Sequence, residues 1–371
     1  MSRSRDASKR RHPYRRRRRA SAPHAPGPVL AAIDVGTNAC RLLIAVPQSG
    51  NGFMPRVIDS YTASVRLGEG LERDGIIADA ALDRAVAALM VCAGRIRRRG
   101  VTHVRAIATE ACRRARNAGV LIERAQKEAG IRLAVVSPEQ EARLAAEGCL
   151  PLVGDRFEGA LVFDIGGGST ELILVRSAAG RPGACEIVAW ASAPVGVVGL
   201  AERYGARRLP ASAFAPMRES IAGLFADLRD ELSPSVFEPG RYHLLGTSGT
   251  LTTLAGIKLE LPRYVRSRID GQWLTREEVL GITRRIVRED FDGRAAIPCV
   301  GQDRADLILP GCAILSVIME NWPAGQLRVA DRGLREGLLI GLLKEAGNIR
   351  SGLGQWRSGV AVGEELDGGA A

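Results

Sequence analysis

Ile33-Asp34-Val35-Gly36-Thr37-Asn38-Ala39-Cys40-Arg41-Leu42-Leu43-Ile44 is an apolar strand that ends in Asp-x-Gly, turns through small residues and returns as a second apolar strand. The same plan recurs at Phe163-Asp164-Ile165-Gly166-Gly167-Gly168-Ser169-Thr170-Glu171-Leu172-Ile173-Leu174. Asp34 and Gly36 match Asp164 and Gly166, while Arg41 matches Glu171. One Gly-rich hairpin is weak evidence, because most such turns do nothing chemical. Two in register, set apart by the length of a small domain, predict two similar domains facing one phosphate chain. The glycines are expected to take positive φ and bring backbone N–H groups against an anion. The aspartate ending each first strand can hold a hydrated divalent cation or position water.

At 371 residues the chain should form about two domains, and 46% apolar with 25% charged residues suits a globular protein with a full core. The net charge of +11 is concentrated: ten of the 52 Lys and Arg residues, but one of the 41 acids, fall within residues 1–20. The body is therefore nearly neutral. Like-charge repulsion and prolines predict a disordered basic tail over 1–28, able to bind polyanions without specificity. The tail lacks the apolar core of a secretory signal, and no run is long enough to span a bilayer, so the expectation is a cytoplasmic protein without a membrane. Seven scattered cysteines with no C-x-x-C spacing predict reduced thiols rather than a disulfide framework or zinc site.

Strand and helix patterns alternate along the chain, which predicts an α/β class. Residues 78–99 read as a helix with one apolar face, and Ser137-Pro138-Glu139-Gln140 opens another with an N-cap, a proline and a capping box. The pattern restarts after residue 151. The expected division is thus a basic tail (1–28), a first domain (29–151), a second domain (152–350) and a frayed end (351–371).

Beyond the hairpins, Gly246-Thr247-Ser248-Gly249-Thr250 follows an apolar strand and enters a helix, a turn suited to an anion or a nucleotide edge. Arg113 follows a strand end, where a guanidinium can grip phosphate oxygens. Glu139 and Glu141 open the helix that runs toward the second hairpin, and so can face a cleft. Carboxylates at Glu141, Asp164 and Glu171 around a polyanion make electrostatic sense only with a divalent cation, for which Mg²⁺ bound through carboxylates, waters and substrate oxygens is the natural choice.

Together these segments resemble the exopolyphosphatase and guanosine-pentaphosphate phosphohydrolase family, over about residues 29–345. Ala108-Thr109 to Arg113 with Asn117, Glu139-Gln140-Glu141-Ala142-Arg143, Arg304-Ala305-Asp306 and Gly333-Leu334-Arg335-Glu336-Gly337 agree with it in order, alongside both hairpins and the 246–250 turn. The resemblance implies two ribonuclease-H-like domains of the actin-like, sugar-kinase-like ATPase superfamily with the substrate in the cleft between them. It implies hydrolysis of terminal phosphate from polyphosphate or guanosine pentaphosphate, with Glu141 activating water and Mg²⁺ or Mn²⁺ held by Asp34, Asp164 and Glu171. It also admits K⁺ and a homodimer. Expected substrate contacts are Gly36, Thr37, Asn38, Arg41 and Arg113 from the first domain, with Gly166, Gly167, Gly168, Ser169, Thr170, Gly246, Thr247, Ser248 and Gly249 from the second. One departure is Gly199 in Pro194-Val195-Gly196-Val197-Val198-Gly199, where the family often has Arg.

Two other readings fit parts of the sequence. A sugar-kinase-like or chaperone-like ATPase would use the same paired hairpins, but the Glu141 segment favours a hydrolase. A non-catalytic alarmone or nucleic-acid binding protein would use the basic tail, which carries only Tyr14 as a stacking platform.

Overall fold

The computed structural model describes residues 27–48, 54–154, 156–177, 185–205, 209–233 and 240–347. The expected basic tail, apart from residues 27 and 28, and the expected frayed end lie outside the described residues.

Apolar, β-branched runs make two sheets. The first contains β1 (Leu30–Val35), β2 (Ala39–Val46), β3 (Arg56–Ser64), β4 (His103–Ala108) and β5 (Leu133–Val135), in the order β3-β2-β1-β4-β5. β2 runs antiparallel to β1 and β3, whereas β4 and β5 continue parallel to β1. The second sheet contains β6 (Gly159–Ile165), β7 (Thr170–Ser177), β8 (Cys185–Ala193), β9 (Tyr242–Thr247), β10 (Trp273–Thr275) and β11 (Gln326–Ala330). There β8-β7-β6-β9-β11 repeats the order and directions of the first sheet, and β10 adds an antiparallel edge. An antiparallel three-strand meander followed by parallel strands is the ribonuclease-H-like topology, present twice. The fold class expected from the paired hairpins is the one found.

Central β1 is buried at every residue, as a strand covered on both faces must be. The helix Asp79–Arg98 covers one face of the first sheet through Leu82, Val86 and Leu89. The helix Pro138–Cys149 starts with the predicted capping box between Ser137 and Gln140. It packs Ala142, Ala146 and Cys149 onto Ala160, Val162 and Ile173 of the second sheet. The last helix, Leu334–Glu345, packs Leu338 and Leu342 back onto Leu30, Ala32 and Leu43 of the first. Each sheet is thus covered by a helix that follows the other sheet. The two helices press together closely enough that a Cβ on Gly148 or Gly337 would strike the backbone of Gly333 or Leu144.

The seven cysteines are free, as their spacing predicted. Among the described residues no helix is long and apolar enough to cross a membrane.

Candidate active site between the two sheets

The strand ends of β1 and β6 place Asp34 and Asp164 on a cleft between the sheets. The two turns that follow are closed by the same bond: Gly36 N donates to Ala39 O at 3.0 Å, and Gly166 N donates to Ser169 O at 2.9 Å. Their glycines do not have the conformation expected of them, since none of Gly36, Gly166, Gly167 and Gly168 has positive φ. The reason for glycine is contact. A Cβ on Gly167 would lie 2.9 Å from Thr37 Cβ, and one on Gly168 2.9 Å from Glu110 Cγ. The loops touch, so side chains there would wedge the cleft open.

Asp34, Gly36, Thr37, Asn38, Arg41, Glu141, Asp164, Gly166, Gly167, Gly168, Ser169, Ser248 and Gly249 all line this cleft. Five expected residues do not. Thr170 is buried and its hydroxyl donates to Val195 O at 2.7 Å, while Thr247 donates to Arg332 O at 2.8 Å. Gly246 lies inside β9, where a side chain would collide with Phe163 and Leu251. Glu171 sits behind the second loop, accepting from Ser169 Oγ at 2.7 Å and Ser192 Oγ at 3.0 Å. Arg113 stands behind Glu141, donating to its Oε2 at 2.6 Å and to Glu110 Oε2 at 2.8 Å.

Glu141 opens the helix Pro138–Cys149 with its side chain 12% exposed. Burial, reinforced by Glu171, holds its carboxyl well above the ordinary carboxylate range, against the pull of Arg113. A carboxylate raised in this way is a better proton acceptor at neutral pH. Asp164 is pushed up to about 6 by burial, with Arg41 opposing and Asp34 adding. Burial raises Glu171 to about 7, and Asp164 adds to it. Burial also raises Asp34, while Arg41 and Arg335 pull it back.

Among the described residues no three His, Cys, Asp or Glu side chains converge into a cage for a metal ion. Two carboxylates, Asp34 and Asp164, nevertheless face one cleft with raised pKa values. That donor set suits Mg²⁺, which takes one or two carboxylates and fills its octahedron with waters and phosphate oxygens.

Sequence reasoning assigned no site role to Glu110, Thr109, Arg304 or Arg335. The first three line the cleft. Arg304 donates to Thr253 Oγ1 at 3.2 Å, and burial followed by repulsion from Arg41 lowers its pKa. Only the Arg304-Ala305-Asp306 and Gly333 to Gly337 motifs signalled these arginines, and spacing alone could not tell that both turn inward. At the third turn Ser248 has φ 132, strained for a residue with a side chain, and its Oγ caps the helix Gly249–Lys258 by accepting from Thr250 N at 3.2 Å.

Two ribonuclease-H-like sheets thus bring a matching turn from each, and a carboxylate at a helix start, onto one cleft. A model described as the Ppx/GppA phosphatase family matches residues 45–346, and the chain belongs to that family. It is 29% identical over 328 residues to exopolyphosphatase 2 of Mycobacterium tuberculosis, covering 84% of this chain and 98% of the relative. The crystal structure of the Aquifex aeolicus family member superposes with TM-score 0.69 at 27% identity, covering 86% of this chain and 98% of that one. An exopolyphosphatase structure from Cytophaga hutchinsonii gives TM-score 0.74 at 25% identity, over 85% and 98% of the two chains.

Proposed function

We propose that this phosphatase releases terminal phosphate from inorganic polyphosphate, using water deprotonated by Glu141. The observation that carries this reading is a largely buried Glu141 carboxylate, its pKa raised, on the same cleft as both hairpin turns. The exopolyphosphatases among its relatives support polyphosphate as the substrate class.

Backbone N–H groups of the turns at Thr37–Asn38 and Gly167–Gly168, with Arg41 and Arg304, hold the terminal phosphates. Water oxygen forms the new bond to the terminal phosphorus, its proton passes to Glu141, and the anhydride P–O bond breaks to release the shortened chain. Arg113 keeps the Glu141 carboxylate in one rotamer, and Glu110 shares that guanidinium so that its charge is not spent on Glu141 alone. Asp34 and Asp164 would hold Mg²⁺ or Mn²⁺, whose charge offsets that of the phosphate oxygens.

The test is phosphate release by the full chain. Glu141→Gln keeps the shape but cannot take the proton, so turnover should fall by about 10²–10⁴ while polyphosphate still binds. Glu139→Gln, whose exposed side chain merely pairs with Arg143 at 2.8 Å, should remain active. Normal turnover by Glu141→Gln would remove the assignment. Guanosine pentaphosphate carries the same terminal anhydride and is the second substrate to offer in this assay.

A further inference from the structure

The segment between β3 and the helix Asp79–Arg98 makes contacts that the chemistry above does not use. Val65 N and Arg66 N both donate to Asn38 O at 2.9 Å, and Gly68 N donates to Thr37 O at 2.9 Å. The segment is therefore fastened to the first phosphate loop. Arg66 adopts φ 49, a left-handed conformation that a long side chain seldom takes. Its Nη2 pairs at 3.1 Å with Oδ2 of Asp306, which follows the second sheet's β9 in the chain, in a depression beside the cleft that both residues line. Asp306 is 4% exposed, and its other carboxylate oxygen has no hydrogen-bond partner among the described residues.

Two residues before Asp306, Arg304 lines the cleft. Further along the segment, Gly70 N donates to Glu202 Oε1 at 3.0 Å and Glu72 accepts from Arg203 at 2.8 Å. The helix Val197–Arg203 that bears these partners begins on the second loop, where Val197 N donates to Gly166 O at 3.0 Å and Val198 N to Gly167 O at 2.8 Å. One short segment thus touches the first phosphate loop, the helix anchored on the second and the turn that carries Arg304. Glu72 and Arg203 are each nearly half exposed, and such pairs contribute little. Asp306 is different. A buried carboxylate that loses its ion-pair partner is left with the more distant charge of Arg294, and it regains water only if the domains part.

We propose that Arg66 is a positioning residue: its ion pair with Asp306 at the edge of the cleft fixes the Arg304 turn against the first phosphate loop, so that closing the cleft and completing the phosphate site are one event. The inference rests on the polyphosphatase reading for its kinetic arm.

The experiment compares polyphosphate turnover by wild type, Arg66→Gln, Arg66→Lys, Asp306→Asn, Arg304→Gln and the Arg66→Gln/Arg304→Gln double variant. Arg66→Gln should lower kcat/KM by roughly ten- to a hundredfold, with KM rising and kcat falling together, as for a residue that governs closure. Arg66→Lys, which keeps the charge, should recover most of that loss. In the Arg304→Gln background Arg66→Gln should add less than about twofold, since the group it positions is gone. Additive losses, or full activity of Arg66→Gln, would overturn the proposal. Should Arg66→Gln fail to fold, Asp306→Asn breaks the same pair and must show the same dependence on Arg304. If wild type releases no phosphate from polyphosphate, the functional reading falls by itself, and small-angle X-ray scattering then decides the closure claim. A larger radius of gyration for Arg66→Gln than for wild type supports it, and equal radii refute it.

Discussion

In the first hairpin Asp34 stands across the strand pair from Arg41, while in the second Asp164 stands across from Glu171. The backbones repeat, down to the bond closing each turn, but the charge at one register position is reversed. Like charges directly opposite on antiparallel strands are destabilising, and burial makes the repulsion worse. Burial chiefly raises Asp164 to about 6 and Glu171 to about 7, with Asp164 adding to Glu171, while Arg41 pulls down both Asp34 and Asp164. The difference separates two tasks in one cleft. On the function proposed above, the first hairpin would offer a guanidinium to phosphate oxygens, and the second one cleft carboxylate, Asp164, backed by Glu171, that favours a cation.

Exchanging charge on either hairpin should therefore disturb different quantities. The larger effect is expected on the second. Glu171 touches the cleft only through Ser169 and Asp164, so it acts as an outer support for whatever Asp164 holds. Glu171→Gln should raise the Mg²⁺ concentration for half-maximal phosphate release by about 10–100-fold and leave the polyphosphate KM at saturating Mg²⁺ nearly unchanged. A Mg²⁺ titration that superposes on wild type would end the distinction. On the first hairpin, Arg41→Gln should raise the polyphosphate KM by roughly tenfold, the worth of one charge-assisted contact, without moving the Mg²⁺ midpoint. If both variants shift both quantities equally, the hairpins share one task.

The comparison was partly visible before any coordinates. Alignment of the two motifs set Arg41 against Glu171, and the register confirms that match. The capping box at Ser137 was legible because its residues are neighbours in sequence. Burial direction was not. Thr170, Gly246 and Thr247 belong to phosphate-like motifs yet serve the strand packing, because a strand's alternation sends every second side chain away from the cleft. The glycines were assigned to positive φ when contact between loops from distant parts of the chain demands them. Short β11 escaped notice because Gln326 and Arg328 break its apolar pattern, although its pairing with β9 completes the second sheet. Arg304 reaches the cleft from a segment far from either hairpin, a placement that only tertiary structure supplies.

The smallest predicted effect tests whether the charge burden of the second hairpin exists at all. Glu171 has an ordinary value of 4.5 and a folded value of about 7, so the native state retains a proton that the unfolded chain has released. Its stabilising contribution is complete below the unfolded value and is lost as pH rises through the folded one. Asp164, with an ordinary value of 3.8 and a folded value of about 6, has the same sign but is mostly spent earlier. Buried His243 opposes them: its pKa falls from 6.5 to about 4, so its stabilising contribution grows with pH from about 4 until the unfolded imidazole has lost its proton, roughly one unit above 6.5. Between pH 6.5 and 7.5 Glu171, together with Glu141, whose carboxyl is also raised by burial and by Glu171, outweighs the last of that gain. Without divalent cations, stability should drop there by on the order of 0.5 kcal/mol, a fall in melting midpoint of about 1–2 °C. Glu171→Gln should flatten the slope, whereas Arg41→Gln should not. Saturating Mg²⁺ should raise the midpoint more at pH 7.5 than at 6.5, because the ion binds the ionised site in the native state alone. A metal-free midpoint that climbs across the interval would reverse the sign and leave the two hairpins electrostatically alike.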